Sequence, residues 1–115
     1  MLHLQKQLLG SKITDQTIAP LTASLSLREL SLLRSSVTDI GLNKLAELPA
    51  LEDLSLQGSA EITDKAVDAL KHFRVLKKLR LLDTGVSIAG IAAFTSVLPT
   101  VTIWPTPEWL RTHRG

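Results

Sequence analysis

Residues 27–50 read LRELSLLRSSVTDIGLNKLAELPA, and the pattern returns from Leu51 to Val75 and, eroded, from Leu76 to Pro99. Leu27, Leu30 and Leu32 correspond to Leu51, Leu54 and Leu56, an offset of 51 − 27 = 24 residues. Leu76, Leu79 and Leu81 follow at 76 − 51 = 25. Alternation puts Leu30 and Leu32 on one face of a short strand. The second half of each copy agrees as well, with Val37-Thr38-Asp39, Ile62-Thr63-Asp64 and Val86-Ser87 in equivalent places and Ile13-Thr14-Asp15 as an earlier version. A hydroxyl or carboxylate there can accept from free backbone N–H groups and start a helix. Apolar residues three and four apart predict helices over 40–45, 66–70 and 88–94, each with one buried stripe. Leu48-Pro49 and Leu98-Pro99 end the helices, because a residue before proline avoids the α region.

The composition fits a repeated unit. Of the 115 residues 44% are hydrophobic but only 3% aromatic, so the core must be aliphatic and chiefly leucine. Many equivalent sites of one size are what a repeat produces. Thirteen Lys and Arg against eleven Asp and Glu leave a net charge of +2, which gives a nucleic-acid binder no strong support. With no cysteine, disulfides, thiol nucleophiles and cysteine-based metal sites are excluded. The stretch MLHLQKQLLGSKITD lacks the unbroken apolar run of a signal peptide. No apolar run reaches the roughly 18 residues needed to cross a bilayer. A cytoplasmic protein with no membrane partner is expected.

The L-x-x-L-x-L strands, the 24–25 residue period and the I/V-T-D helix starts resemble the leucine-rich repeat family, near its ribonuclease-inhibitor-like and GALA-type subclasses. The resemblance covers roughly residues 4 to 104. It implies an α/β right-handed solenoid, with a short parallel sheet on the concave face and helices on the convex face. About four units would fill residues 1–104, the first and last incomplete, and residues 105–115 would form a tail or cap.

The chain departs from the family in several places. Ser35, Ser59 and Thr84 stand where the family has Asn or Cys, so no asparagine ladder is expected, although a hydroxyl can still bond across the turn. The copy at Glu61 carries one extra residue between strand and helix, read as a small bulge. Lys6 falls where Leu30 would be, which puts the first strand in doubt. The prolines at 105 and 107 argue against an immediate helix, while Glu108-Trp109-Leu110 could fold back over the open end. The N-terminal end has little that looks like a cap.

In such a family the strands line the binding face, and residues flanking each strand leucine point outward. One outward column is then Glu29, Asp53, Lys78 and Thr100, and the next is Ser31, Ser55, Arg80 and Thr102. The column just after the strand is Leu9, Leu33, Gln57, Leu82 and Trp104. Four of its five members are apolar without being needed inside, and such a row marks a contact surface. Trp104 is the natural anchor. The alternative is that neighbours cover Leu33 and Leu82 and that Trp104 packs under the tail with Trp109. The charges change sign from Glu29 and Asp53 to Lys77, Lys78 and Arg80, which suits a protein partner better than a phosphate backbone or else marks an ordinary solvated face. Arg111, His113 and Arg114 read as a small basic, mobile end.

An enzyme is not expected. His3, His72 and His113 lie in different copies, Glu52 and Asp53 are adjacent on a strand and face opposite ways, and no phosphate-binding glycine loop is present. No cofactor or metal is implied. The expected function is protein–protein interaction through the strand face and the Trp104 end, as an adaptor, targeting or assembly subunit. Second comes self-association as a homodimer through the N-terminal copy. A nucleic-acid binder using Lys77, Lys78, Arg80 and the basic tail comes third.

Overall fold

A computed structural model describes residues 5–113. Five parallel strands form one open sheet in chain order: β1 (Gln5–Leu9), β2 (Glu29–Leu33), β3 (Asp53–Ser55), β4 (Lys78–Arg80) and β5 (Thr102–Trp104). The register pairs Gln5 with Glu29, Glu29 with Asp53, Asp53 with Lys78 and Lys78 with Thr102, so each strand sits beside its own equivalent in the next copy. The period read along the sequence is therefore the spacing of the sheet.

Among the described residues four α-helices join the strands, α1 (Asp15–Ile18), α2 (Asp39–Leu45), α3 (Val67–Leu70) and α4 (Ile88–Val97), and a fifth, α5 (Pro107–His113), follows β5. Each packs on the next in chain order. Between sheet and helices lies one aliphatic core. Strand residues Leu30, Leu54 and Leu79, turn residues Val37, Ile62 and Val86, and helix residues Leu42, Leu70, Ile91 and Phe94 are all buried in it. Burying one such side chain is worth about 1.5–3 kcal/mol, so the repeated leucines carry most of the stability. No described helix is long and apolar enough to cross a membrane.

Three expectations need correction. The first strand exists: β1 pairs with β2 along all five residues, and Lys6 indeed lies opposite Leu30. The ladder is made by backbone groups, so a charged side chain at the edge does not stop it. Lys6 stays exposed, and Leu8 supplies the apolar contact to the core.

The second correction concerns the last copy. Lys78 pairs with Thr102 and Arg80 with Trp104, two residues out of phase with the predicted columns, and Thr100 lies outside the strand. Val101 and Ile103 alternate, so either could stand opposite Leu79. The structure chooses Ile103, and the buried Pro105 then takes the inward place that follows it.

Third, residues 107–113 are helical after all. Pro107 opens α5, where its missing N–H costs nothing, and Thr106 Oγ1 accepts from the Trp109 N–H at 3.1 Å. Leu110 is buried against the core and α5 packs on α4. The fold-back of residues 108–110 is thus present, as a helix. Arg111 and His113 belong to it, while Arg114 lies outside the described residues.

The helix starts hold a feature that local reading did not supply. Asp15 Oδ1 accepts from the Thr38 backbone N–H at 2.8 Å and Asp15 Oδ2 from the Thr38 hydroxyl at 2.6 Å. Asp39 does the same for Thr63, and Asp64 for Ser87. The Thr38 hydroxyl in turn accepts from the Ile40 N–H, and the Ser87 hydroxyl from the Gly90 N–H. The hydroxyls cap their own helices, as expected, while each aspartate reaches forward into the next copy.

Two of these carboxylates, of Asp15 and Asp64, lie where a side chain would otherwise stand, whereas Asp39 makes the same contact beside Ala66. A Cβ built on Gly41 would collide with Asp15 Oδ1, and one on Gly90 with Asp64 Oδ1. Thr17 holds the corresponding place in the first copy, where no described aspartate arrives. Its own Oγ1 accepts from the Thr14 N–H at 3.1 Å and lies 3.4 Å from the Thr14 hydroxyl, so it takes over both tasks of the carboxylate.

A second link runs through the turns. Ser35 and Ser59 hydroxyls lie 2.8 Å apart, both buried, and the Ser59 hydroxyl donates to the Leu32 carbonyl at 3.1 Å. Serine thus bridges these two turns in place of asparagine. Thr84 instead donates to Leu81 of its own copy. The extra residue at 60–61 sits in an exposed turn, and the Ala60 and Ile62 carbonyls crowd Gly85 in the next copy.

Candidate functional site

The outward positions of the strands form three rows across the sheet. Gln5, Glu29, Asp53, Lys78 and Thr102 make the first, and Gln7, Ser31, Ser55, Arg80 and Trp104 the second. Leu9 and Leu33 begin the third. The Arg34 N–H bonds the Gln57 carbonyl and the Gly58 N–H the Leu82 carbonyl, both at 2.9 Å, which carries this row on through Gln57 and Leu82.

Between Gln7, Glu29, Ser31, Ser55, Gln57 and Arg80 the face holds a depression of about 360 Å³. Its floor is small and polar. Ser55 is outward by register yet only 6% exposed, because it is the short side chain at the bottom of the hollow. Ser31 is half-buried beside it. Arg80 and Asp53 form an ion pair that closes the floor on the β4 side, with side chains 43% and 20% exposed. A pair this open contributes about 0–1 kcal/mol, so its main effect is to hold Arg80 in place.

The remaining predicted residues divide. Leu33 and Leu82 are half-buried, while Leu9 is 70% exposed. Trp104 packs on Trp109 with ring centroids 5.3 Å apart and still leaves 41% of its surface exposed. The packing on Trp109 is thus present, and the place of Trp104 is in the second row beside Arg80. Thr102 is exposed in the first row; Thr100 is off the strand.

No protein-family model and no curated protein matches the chain. The site rests on its geometry.

Of Lys77, Lys78 and Arg80 in the nucleic-acid reading, two are engaged locally. Lys77 lies 3.6 Å from Glu52, and Arg80 holds Asp53. Glu29 and Lys78 are both exposed and belong to no ion pair among the described residues. His72 is exposed on the helix side and His113 stacks on Trp109 at 4.2 Å, so these two do not meet; His3 lies outside the described residues.

Gln5 and Gln7 are the face residues that sequence reasoning missed. They stand one period before Glu29 and Ser31, on the strand that Lys6 puts in doubt in the sequence.

Proposed function

We propose that the chain is a leucine-rich-repeat solenoid that binds a protein partner on its strand face, as an adaptor, targeting or assembly subunit. The observation that carries this is the contrast between the two faces of one sheet. Inward, the copies repeat Leu30, Leu54 and Leu79. Outward, the same register runs Glu29, Asp53, Lys78 and Ser31, Ser55, Arg80, Trp104. A regular scaffold with irregular outward positions is how a repeat protein presents a specific surface.

Size limits the partner. Five strands about 4.8 Å apart, three to five residues long, offer a face of about 200–300 Å². A standard interface covers about 800 Å² on each side. The face therefore suits a segment of a partner better than a second folded surface. Cytoplasm is the compartment we assign, and no catalytic role.

Self-association through the first copy is less well supported. A further copy stacked on β1 would have to cover Lys6, which stands at an inward register position and is exposed, and burying an unpaired charge is costly. Thr17 fills the space that an aspartate from a stacked copy would need.

Ser31→Arg, which would fill the depression, tests the reading against Asn43→Arg on the exposed side of α2. A partner captured from the native source, then purified and titrated, is expected to lose binding to Ser31→Arg and keep it to Asn43→Arg. The opposite pattern in folded variants sinks the strand-face reading.

A further inference from the structure

In the first outward row two charges have no ionic partner among the described residues, and they are of opposite sign. Glu29 stands on β2, Lys78 on β4, and Asp53 between them is held by Arg80. Two strand spacings separate them, about 9–10 Å at some 4.8 Å per step. Among extended conformations the polyproline II helix repeats every three residues with a rise of about 3.1 Å each, so residues three apart point the same way about 9.3 Å from each other. A β-strand laid across the sheet would bring side chains to one side about every 6.7 Å and would miss one of the two charges.

At the far end of the face, one strand beyond Lys78, Trp104 is still partly exposed. Proline-rich segments in this conformation dock on exposed aromatic rings and lose little entropy on binding. The strand charges and the tryptophan therefore select the same kind of ligand.

We propose that the occupant of the strand face is a polyproline II segment of a partner protein, running across the strands. It carries a basic residue over Glu29, an acidic residue three positions away over Lys78, and proline against Trp104. The inference rests on the strand face being the binding surface and adds the chemistry of the partner.

Capped synthetic peptides test it by titration against the full chain. The first has Lys and Glu three apart in a proline-rich background. Others have Lys at both places, Glu at both places, or the Lys–Glu pair moved to a spacing of two. Exposed ion pairs are weak, so the Lys–Glu peptide should bind about threefold more tightly than either like-charged peptide, with an advantage that fades in salt. Glu29→Lys should reverse the order and favour the peptide with two glutamates. Trp104→Ala should weaken all of them.

Equal binding of all peptides, abolished by Ser31→Arg, would overturn the proposed chemistry while leaving the strand face as the site. Binding untouched by Ser31→Arg would sink both. If no peptide binds, the proposal fails, and two further measurements then name the occupant. Sedimentation showing a dimer broken by Glu29→Lys would point to a second copy of this chain. Capture of a homopolymeric RNA, lost in Lys78→Glu and steeply salt-dependent, would point to a nucleic acid.

Discussion

The two carboxylate oxygens of Asp15 accept the backbone N–H and the hydroxyl of Thr38, a residue of the following copy. Thr38 passes the interaction on by accepting the Ile40 N–H at the start of α2. A helix start is thus held from two directions, by its own hydroxyl and by the previous copy's carboxylate.

Asp39→Ala removes both acceptors of Thr63 and should destabilise the protein by about 2 kcal/mol, since a half-buried donor left without a partner costs about 1–3 kcal/mol. Asp39→Asn keeps one acceptor and should cost about half as much. Urea unfolding with an unchanged m-value measures both. Equal stability of Asp39→Ala and the wild type would mean the contact carries no weight.

Gly41→Ala places a methyl where the Asp15 carboxylate sits. Overpacking of this kind costs about 1–3 kcal/mol. The double variant Asp15→Ala with Gly41→Ala should be more stable than the two single losses added together, by at least about 0.5 kcal/mol, as expected of residues in contact. Strict additivity would show that the glycine is there for another reason.

Gly85→Ala meets the carbonyls of Ala60 and Ile62 at 2.6 and 2.7 Å. Backbone atoms cannot swing aside as a side chain can, so a loss of about 2–3 kcal/mol is expected. Removing Glu61 in the same chain should recover part of it if the extra turn residue creates the crowding. Thermal unfolding of the variants and the wild type decides this.

Leu110→Ala empties a buried place under α5 and should cost about 2–4 kcal/mol. Glu108→Ala, on the exposed side of the same helix, should stay within about 0.5 kcal/mol of the wild type. Tryptophan fluorescence reads the result directly, because Trp104 and Trp109 pack on each other there. An unshifted midpoint for Leu110→Ala would deny α5 a role as a cover.

The α/β alternation and the parallel sheet were legible because leucines at a constant offset leave little choice of phase. Where the phase was ambiguous, the sequence misled. Val101 and Ile103 allow two registers, and only the ladder opposite Lys78 and Arg80 separates them. Lys6 obscured β1 because side-chain pattern reports burial, while strand pairing depends on backbone groups that every residue has. Pro107 looked like a breaker until its position became the first of a helix. Aspartate beside threonine suggested a local cap, which is half correct. The hydroxyl caps locally, but the carboxylate's partner lies a full period away, where no window of neighbouring residues looks. On the candidate face, the outward residues of β2 to β4 were legible from alternation. The depression was not, because it depends on Ser55 being short between Ser31 and Arg80.

The forward reach of Asp15, Asp39 and Asp64 gives the stack a grain. Cut away copies from the C-terminal side and a remaining aspartate merely faces water, which a carboxylate tolerates. Cut from the other side and Thr38 or Thr63 loses its acceptor, with an unfilled gap beside Gly41. The two directions of shortening are therefore unequal. A copy brought to the front by engineering needs what the first helix already has: a threonine in place of the glycine, turned back on its own start.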